Sequence, residues 1–225
     1  MLPLLAACAL PPNTALQDWA RTASVAVDQP ALLAGPAQDG LLAQQQALAA
    51  WLYALGVLAG EEQPLTFRAA RFAPLAARAA ADPTAAEAVA ALGAVLERAQ
   101  AGNIPPAARA YSAGQAQVVE DLRLRPAIRA ANGPVQVLAA SLGAAMAAGE
   151  APAQDRTTYR RVLDRVAEGH AMIDARTRHI TQVAVAREIR DAEDTLLRLQ
   201  RLLPPDPVVA ARPPGGGAVA ALVQP

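Results

Sequence analysis

At 225 residues the chain is long enough to bury one sizeable core. It is 53% hydrophobic but only 3% aromatic, and 20 basic residues balance 20 acidic ones. Zero net charge excludes binding that relies on displacing counterions from nucleic acid, which needs a basic surplus, and an alanine-rich composition poor in aromatics disfavours a β-sheet.

In chain order, the first informative stretch is Met1-Leu2-Pro3-Leu4-Leu5-Ala6-Ala7-Cys8, apolar and ending at the sole cysteine. Leu5-Ala6-Ala7-Cys8 resembles the lipobox of bacterial lipoproteins: an aliphatic residue, two small residues, then the cysteine that is acylated. That resemblance implies cleavage before Cys8, with residues 1–8 a signal remnant and membrane attachment through an N-terminal lipid. No basic segment precedes it, and the apolar run is shorter than the roughly 7–15 residues of a usual signal. Either translation begins upstream or Cys8 is an ordinary small, buried thiol. A lone cysteine forms no intrachain disulfide. Ala9 stands where a retention signal of the inner membrane would have Asp, so outer-membrane sorting is preferred.

Residues 9–203 read as one all-α domain, an antiparallel bundle of about six to eight helices. Thr14 and Gln17 suggest a capping box opening a helix to about Asp28, with Leu16, Trp19, Ala23 and Val27 on one face. A second helix is expected from about Asp39 to Ala59. The stretch Gly40 to Gly60 has no charge and is long enough to span a bilayer, but Gln44-Gln45-Gln46 is costly in hydrocarbon and a buried core helix is the better reading. A short helix follows from about Phe67 to Ala80. Asp82-Pro83 caps the next, which carries Val89, Leu92 and Leu96 inward. Ser112 with Gln115 suggests a further cap. Pro126 is expected to kink or end that helix, and Asn132-Gly133-Pro134 to stop one helix and start another that runs to about Ala148. Gly56, Gly93 and Gly143 sit in similar Leu-Gly settings and suggest close helix approach. The last third is more charged: one helix from Pro152 to about Thr177 and another from Thr181 to Leu203 form a long charged hairpin. The final helix has a seam of Val185, Ile189, Ala192, Leu196, Leu199 and Leu203, flanked by i,i+4 pairs Arg187/Asp191, Arg190/Asp194 and Asp194/Arg198. Residues 204–225, rich in Pro and Gly, are expected to be a disordered tail.

The inventory of chemically capable groups is short. His170 lies on the stripe Leu163, Val166, His170, Ile173 and should face inward, with Asp174 one turn on as a partner. A structural histidine is the first expectation; a ligand or metal role for His170 and Asp174 is the alternative. His179, in the turn before Thr181, should face solvent. Ser24, Ser112 and Ser141 lack a nucleophile-elbow setting, and no phosphate-binding glycine loop is present. Glu188, Asp191 and Asp194 share a helix face, but neighbouring arginines make it an ion-paired surface. Arg156, Arg160, Arg161 and Arg165 alternate with Asp155, Asp164 and Glu168 in the same way. These residues predict no enzyme, no cofactor and no metal.

Asn13-Thr14-Ala15-Leu16-Gln17-Asp18-Trp19-Ala20-Arg21-Thr22-Ala23, together with Ala167-Glu168-Gly169-His170 through Thr181, look like uncharacterised all-helical lipoproteins of proteobacterial type. That resemblance implies address and fold only: a lipid-anchored periplasmic bundle of the cell envelope, structural or adaptor in role, contacting the membrane and an envelope protein but not nucleic acid. The competing reading is a small-ligand- or metal-binding bundle built around His170.

Overall fold

The computed structural model describes residues 13–35, 37–60, 72–101 and 113–210, the last of these with side chains from residue 124 onward. Cys8, the loop after Gly60, the cap expected at Ser112 and Gln115, and residues 211–225 lie outside the described residues. The protein is an all-α bundle of α1 (Thr14–Val27), α2 (Gln38–Ala59), α3 (Phe72–Arg78), α4 (Pro83–Ala101), α5 (Ala113–Ala145), α6 (Ala153–Arg176), α7 (Val183–Gln200) and the single turn α8 (Pro207–Ala210), with no strand among the described residues.

Helix α1 buries Leu16, Trp19, Ala20, Ala23 and Val27 on one face, the 3–4 spacing expected of an amphipathic helix. Asn13, not Thr14, is the N-cap, in the left-handed region at φ 68° with no side-chain capping bond. Asparagine tolerates that conformation better than threonine, whose branched Cβ clashes there.

Helix α2 is the central element. It packs on α1, α3, α4 and α5, so apolar residues are useful around most of its circumference. By length and composition it is apolar enough to cross a membrane, yet 72% of that stretch is buried inside the bundle. Close approach to α1 is set by Gly56: a Cβ there would sit 3.4 Å from the Gln17 carbonyl oxygen and 3.2 Å from Arg21 Cγ. Gly93 does the same for α4 against Phe72, whose Cβ would lie at 3.0 Å and ring at 3.3 Å, whereas at Gly143 the nearest atom is an ordinary 3.9 Å away. Two of the three glycines therefore mark tight contacts.

The start of α4 follows the sequence closely. Asp82 Oδ1 accepts the Ala85 backbone N–H at 3.1 Å, and its other oxygen accepts the Ser141 hydroxyl at 2.9 Å, so one carboxylate caps α4 and ties it to α5.

Helix α5 corrects the expected breaks. It runs unbroken from Ala113 to Ala145 with Pro126 and Pro134 both inside it, and neither Asn132 nor Gly133 takes a left-handed φ. Each interior proline costs about 3 kcal/mol of helix stability. Against that, Leu124, Ile128, Ala131, Val135, Leu138 and Leu142 form one buried stripe at alternating spacings of four and three. This stripe packs on α2, α4 and α6. Its burial, at roughly 1.5–3 kcal/mol for each large side chain, outweighs the broken backbone bonds.

At the α5–α6 corner Arg156 donates to the carbonyls of Met146 (2.7 Å), Ala147 (3.0 Å) and Ala151 (2.9 Å). A guanidinium thus covers the unsatisfied, partly negative end of α5. Helices α6 and α7 then form the charged hairpin. The seam of α7 packs inward as its spacing predicts: Val185, Ile189, Leu196 and Leu203 are buried, and Ala192 and Leu199 pack against the core. The i,i+4 ion pairs expected along α7 are not formed. Glu188 instead reaches across to Arg176 of α6 at 3.3 Å.

The tail reading also needs correction at its start. Asp206 is buried, accepts the Ala31 backbone N–H at 2.8 Å and caps α8 by accepting the Val209 N–H at 3.2 Å. One well-placed carboxylate holds residues 204–210 to the turn Pro30–Leu33, which proline and glycine content alone did not reveal.

Candidate functional site

The helices α1, α2, α5 and α6 each send one polar-capable side chain to a common centre: Trp19, Trp51, Asn132 and His170. His170 is fully buried. Its Nε2 accepts the Trp51 indole N–H at 3.1 Å, and its Nδ1 lies 3.1 Å from Asn132 Oδ1. An acceptor on one side and a donor on the other require the neutral ring with its proton on Nδ1. Asn132 is held in turn by Gln136, whose amide donates to Asn132 Oδ1 at 3.4 Å and to the Ala167 carbonyl at 2.8 Å. Both indoles lean against the imidazole, with ring centroids 6.0 Å (Trp51) and 6.5 Å (Trp19) away and planes tilted by about 55° in each case.

Trp19 reaches this centre because residue 169 is glycine. A Cβ at Gly169 would fall 2.8 Å from Trp19 Cζ2 and 3.0 Å from its Nε1. The Trp19 indole N–H is buried with no hydrogen-bond partner, which costs on the order of 1–3 kcal/mol. Burial pushes the His170 imidazole down from 6.5 to about 4, because the charged form loses water and gains no anion.

The expected His170–Asp174 pair is not made. Although the two lie one turn apart, Asp174 faces Arg129, whose Nε is 3.8 Å from Asp174 Oδ1. Asn132, read from the sequence as part of a helix stop, occupies the partner position instead. The sequence offered one signal for this: Asn132 falls on the edge of the α5 stripe between Ala131 and Val135. With both imidazole nitrogens engaged by protein groups, His170 has no lone pair free for a metal and no contact with solvent for proton exchange. Among the described residues no group of three or more His, Cys, Asp or Glu side chains is arranged to hold a metal ion.

A second buried polar junction lies nearer the other end. The Tyr159 hydroxyl donates to the Val27 carbonyl at 2.8 Å and accepts from Gln45 Nε2 at 2.8 Å. Burial raises the phenol well above its usual range despite the Gln45 bond. Two members of the glutamine run of α2 are thereby explained: Gln45 serves Tyr159 and Gln46 accepts from Arg78 at 3.4 Å, whereas Gln44 is buried with its Oε1 unpartnered. Between α1 and α7 the Thr22 hydroxyl donates to Glu193 at 3.0 Å. Burial raises that carboxyl, against the lowering effect of Thr22.

The remaining candidates serve structure or solvent. His179 is exposed, 3.2 Å from the Gln182 amide nitrogen. In the basic group of α6, Arg156 covers the end of α5 and Arg165 pairs with Glu168. Ser24 donates to the Ala49 carbonyl at 2.9 Å, linking α1 to α2, and Ser141 to Asp82. No family model, curated protein or solved structure matches the chain. The geometry alone therefore defines its class: an α-helical bundle with one of its two histidines, His170, at a four-helix junction.

Proposed function

We propose that this chain is a lipid-anchored module of a bacterial cell envelope. Cys8 is its acylated attachment to the periplasmic face of a membrane, the outer membrane preferred, and the bundle is a scaffold or adaptor for an envelope protein. The observation that supports a scaffold over a ligand-binding bundle is the use made of His170. Both ring nitrogens are committed to holding α2, α5 and α6 together, so the group best suited to chemistry is spent on rigidity. The lipobox-like Leu5-Ala6-Ala7-Cys8 supports the address. The same reading includes a non-enzymatic role, supported by the use of the Ser24 and Ser141 hydroxyls to bind the Ala49 carbonyl and the Asp82 carboxylate.

The experiment is expression with the upstream codons in a Gram-negative host, comparing detergent-phase partitioning and the mature N-terminus of wild type and Cys8→Ala. Acylated wild type in the detergent phase, with Cys8→Ala aqueous and uncleaved, supports the anchor. An aqueous wild type with an intact N-terminus overturns it. The ligand reading is separated by metal analysis of the purified protein: stoichiometric metal lost in His170→Ala would displace the scaffold reading.

A further inference from the structure

Contacts between helices show which residues share each end of the bundle. The first turn of α1 meets the last turn of α2, since a Cβ on Gly60 would touch the Gln17 side chain. Helix α6 runs antiparallel to α1, from Tyr159 at Val27 to Gly169 at Trp19, which brings the α6–α7 turn level with Asn13. Helix α5 runs antiparallel to α6, from Gln136 at Ala167 to Arg129 at Asp174, so Arg125 lies one turn further toward the same end. Leu58, Val95, Leu124 and Ala127 line a cleft of about 300 Å³ there, with exposed Arg98 on its rim.

Arg125, Arg129 and Arg178 gather at this end. Arg125 and Arg129 are one turn apart on α5, Arg129 Nε lies 3.8 Å from Asp174 Oδ1, and Arg178 follows Asp174 by four residues in the α6–α7 turn. Desolvation, then repulsion from Arg129 and Arg178, lowers the Arg125 guanidinium pKa. Among the described carboxylates only Asp174 is in ion-pair contact with any of them, at 3.8 Å. The others at this end are Asp18, Glu97, Glu168 and Glu188, the last two held by Arg165 and Arg176. By sequence, residues 61–71 and 102–123 add four acidic and four basic side chains, a neutral sum. The opposite end is balanced, with Asp28, Asp39, Asp82, Glu150, Asp155 and Asp206 against Arg78, Arg156, Arg160, Arg161, Arg198 and Arg201. Cys8 precedes Asn13 by five residues, a reach of at most about 18 Å when extended.

We propose that this end of the bundle docks on a membrane surface bearing anionic phospholipid headgroups, through Arg125, Arg129 and Arg178 beside the apolar cleft. The proposal rests on Cys8 as the anchor, because a lipid there holds this end, and not the opposite one, against the bilayer. Guanidiniums pair with phosphate through bidentate bonds, and each basic side chain near an anionic surface strengthens binding about fivefold.

The test uses the full chain made without a leader, its sole thiol at Cys8 alkylated with one tetradecyl maleimide. A single chain of that length gives only marginal binding, so a surface contribution is readable. Sedimentation is compared with phosphatidylcholine vesicles and with equimolar phosphatidylcholine/phosphatidylglycerol vesicles at low salt. The expected preference for anionic vesicles is roughly a hundredfold, abolished in Arg125→Gln/Arg129→Gln/Arg178→Gln and retained in the corresponding triple Lys variant. Arg198→Gln/Arg201→Gln, on α7 and just beyond its far end, should keep it. Equal binding to both vesicles, or a preference that survives the triple Gln change in folded protein, overturns the proposal. Since the chain is attached chemically, this outcome is independent of whether cells acylate Cys8.

Discussion

Helices α2 and α7 are both long and both packed, but they are packed in different ways. Helix α2 has neighbours on most sides and buries even two of its glutamines, whereas α7 touches α1 and α6 along one seam and leaves its arginines in water. In α2 most buried polar atoms have assigned work: Trp51 N–H serves His170 and Gln45 serves Tyr159, while Gln44 Oε1 is buried without a partner. In α7 most polar atoms are interchangeable, because water satisfies them at little cost; Glu193, partly buried against Thr22, is the exception. Position in the bundle, more than composition, decides what a substitution will do.

The largest effect should come from the centre of α2. Trp51→Ala removes a fully buried indole and leaves His170 Nε2 without its donor, and it should lower unfolding stability by about 3–5 kcal/mol. Chemical denaturation followed by far-UV circular dichroism reads this, and a loss below about 1 kcal/mol would mean that the four-helix junction is not a core.

Acid comes next. The unfolded chain takes up the His170 proton near pH 6.5 and the folded chain only near 4. Stability is therefore full above pH 6.5 and falls as the pH drops, by about 1.4 kcal/mol per unit and about 3 kcal/mol in all. Denaturation midpoints measured from pH 7.5 to 4 should slope in wild type and flatten in His170→Gln. Parallel profiles for the two proteins would remove His170 as the source.

Gly169→Ala should cost about 1–3 kcal/mol by driving a methyl into the Trp19 ring, visible as lower stability with altered tryptophan fluorescence. Smallest of all, Glu188→Ala on α7 breaks only the exposed pair with Arg176. It should shift stability by less than about 1 kcal/mol. If it matched Trp51→Ala in size, the contrast between the two helices would be wrong.

Much of the architecture was legible in the chain. The apolar faces of α1 and α7, the Asp82-Pro83 start of α4 and the buried rather than bilayer-spanning nature of α2 follow from periodicity and local capping, which act over a few residues. The unbroken course of α5 was also available, in the stripe from Leu124 to Leu142, but local proline and Asn-Gly rules pointed the other way. Continuity of a buried face across a proline is the stronger signal, because packing is summed over the whole helix and a missing backbone bond is counted once.

Sequence by itself determined the class: an alanine-rich chain with 3–4 apolar spacing has to fold as helices that hide those faces. It also determined that His170 turns inward. What His170 meets there was decided only in three dimensions, since Trp51 and Asn132 lie 119 and 38 residues away and nothing local selects them over Asp174. Only the tertiary structure, likewise, brought Arg125 and Arg129 to the same end as Arg178. Local rules propose which groups need a partner; the packing of helices settles which partner arrives, because the low-dielectric interior penalises every arrangement that leaves one unsatisfied.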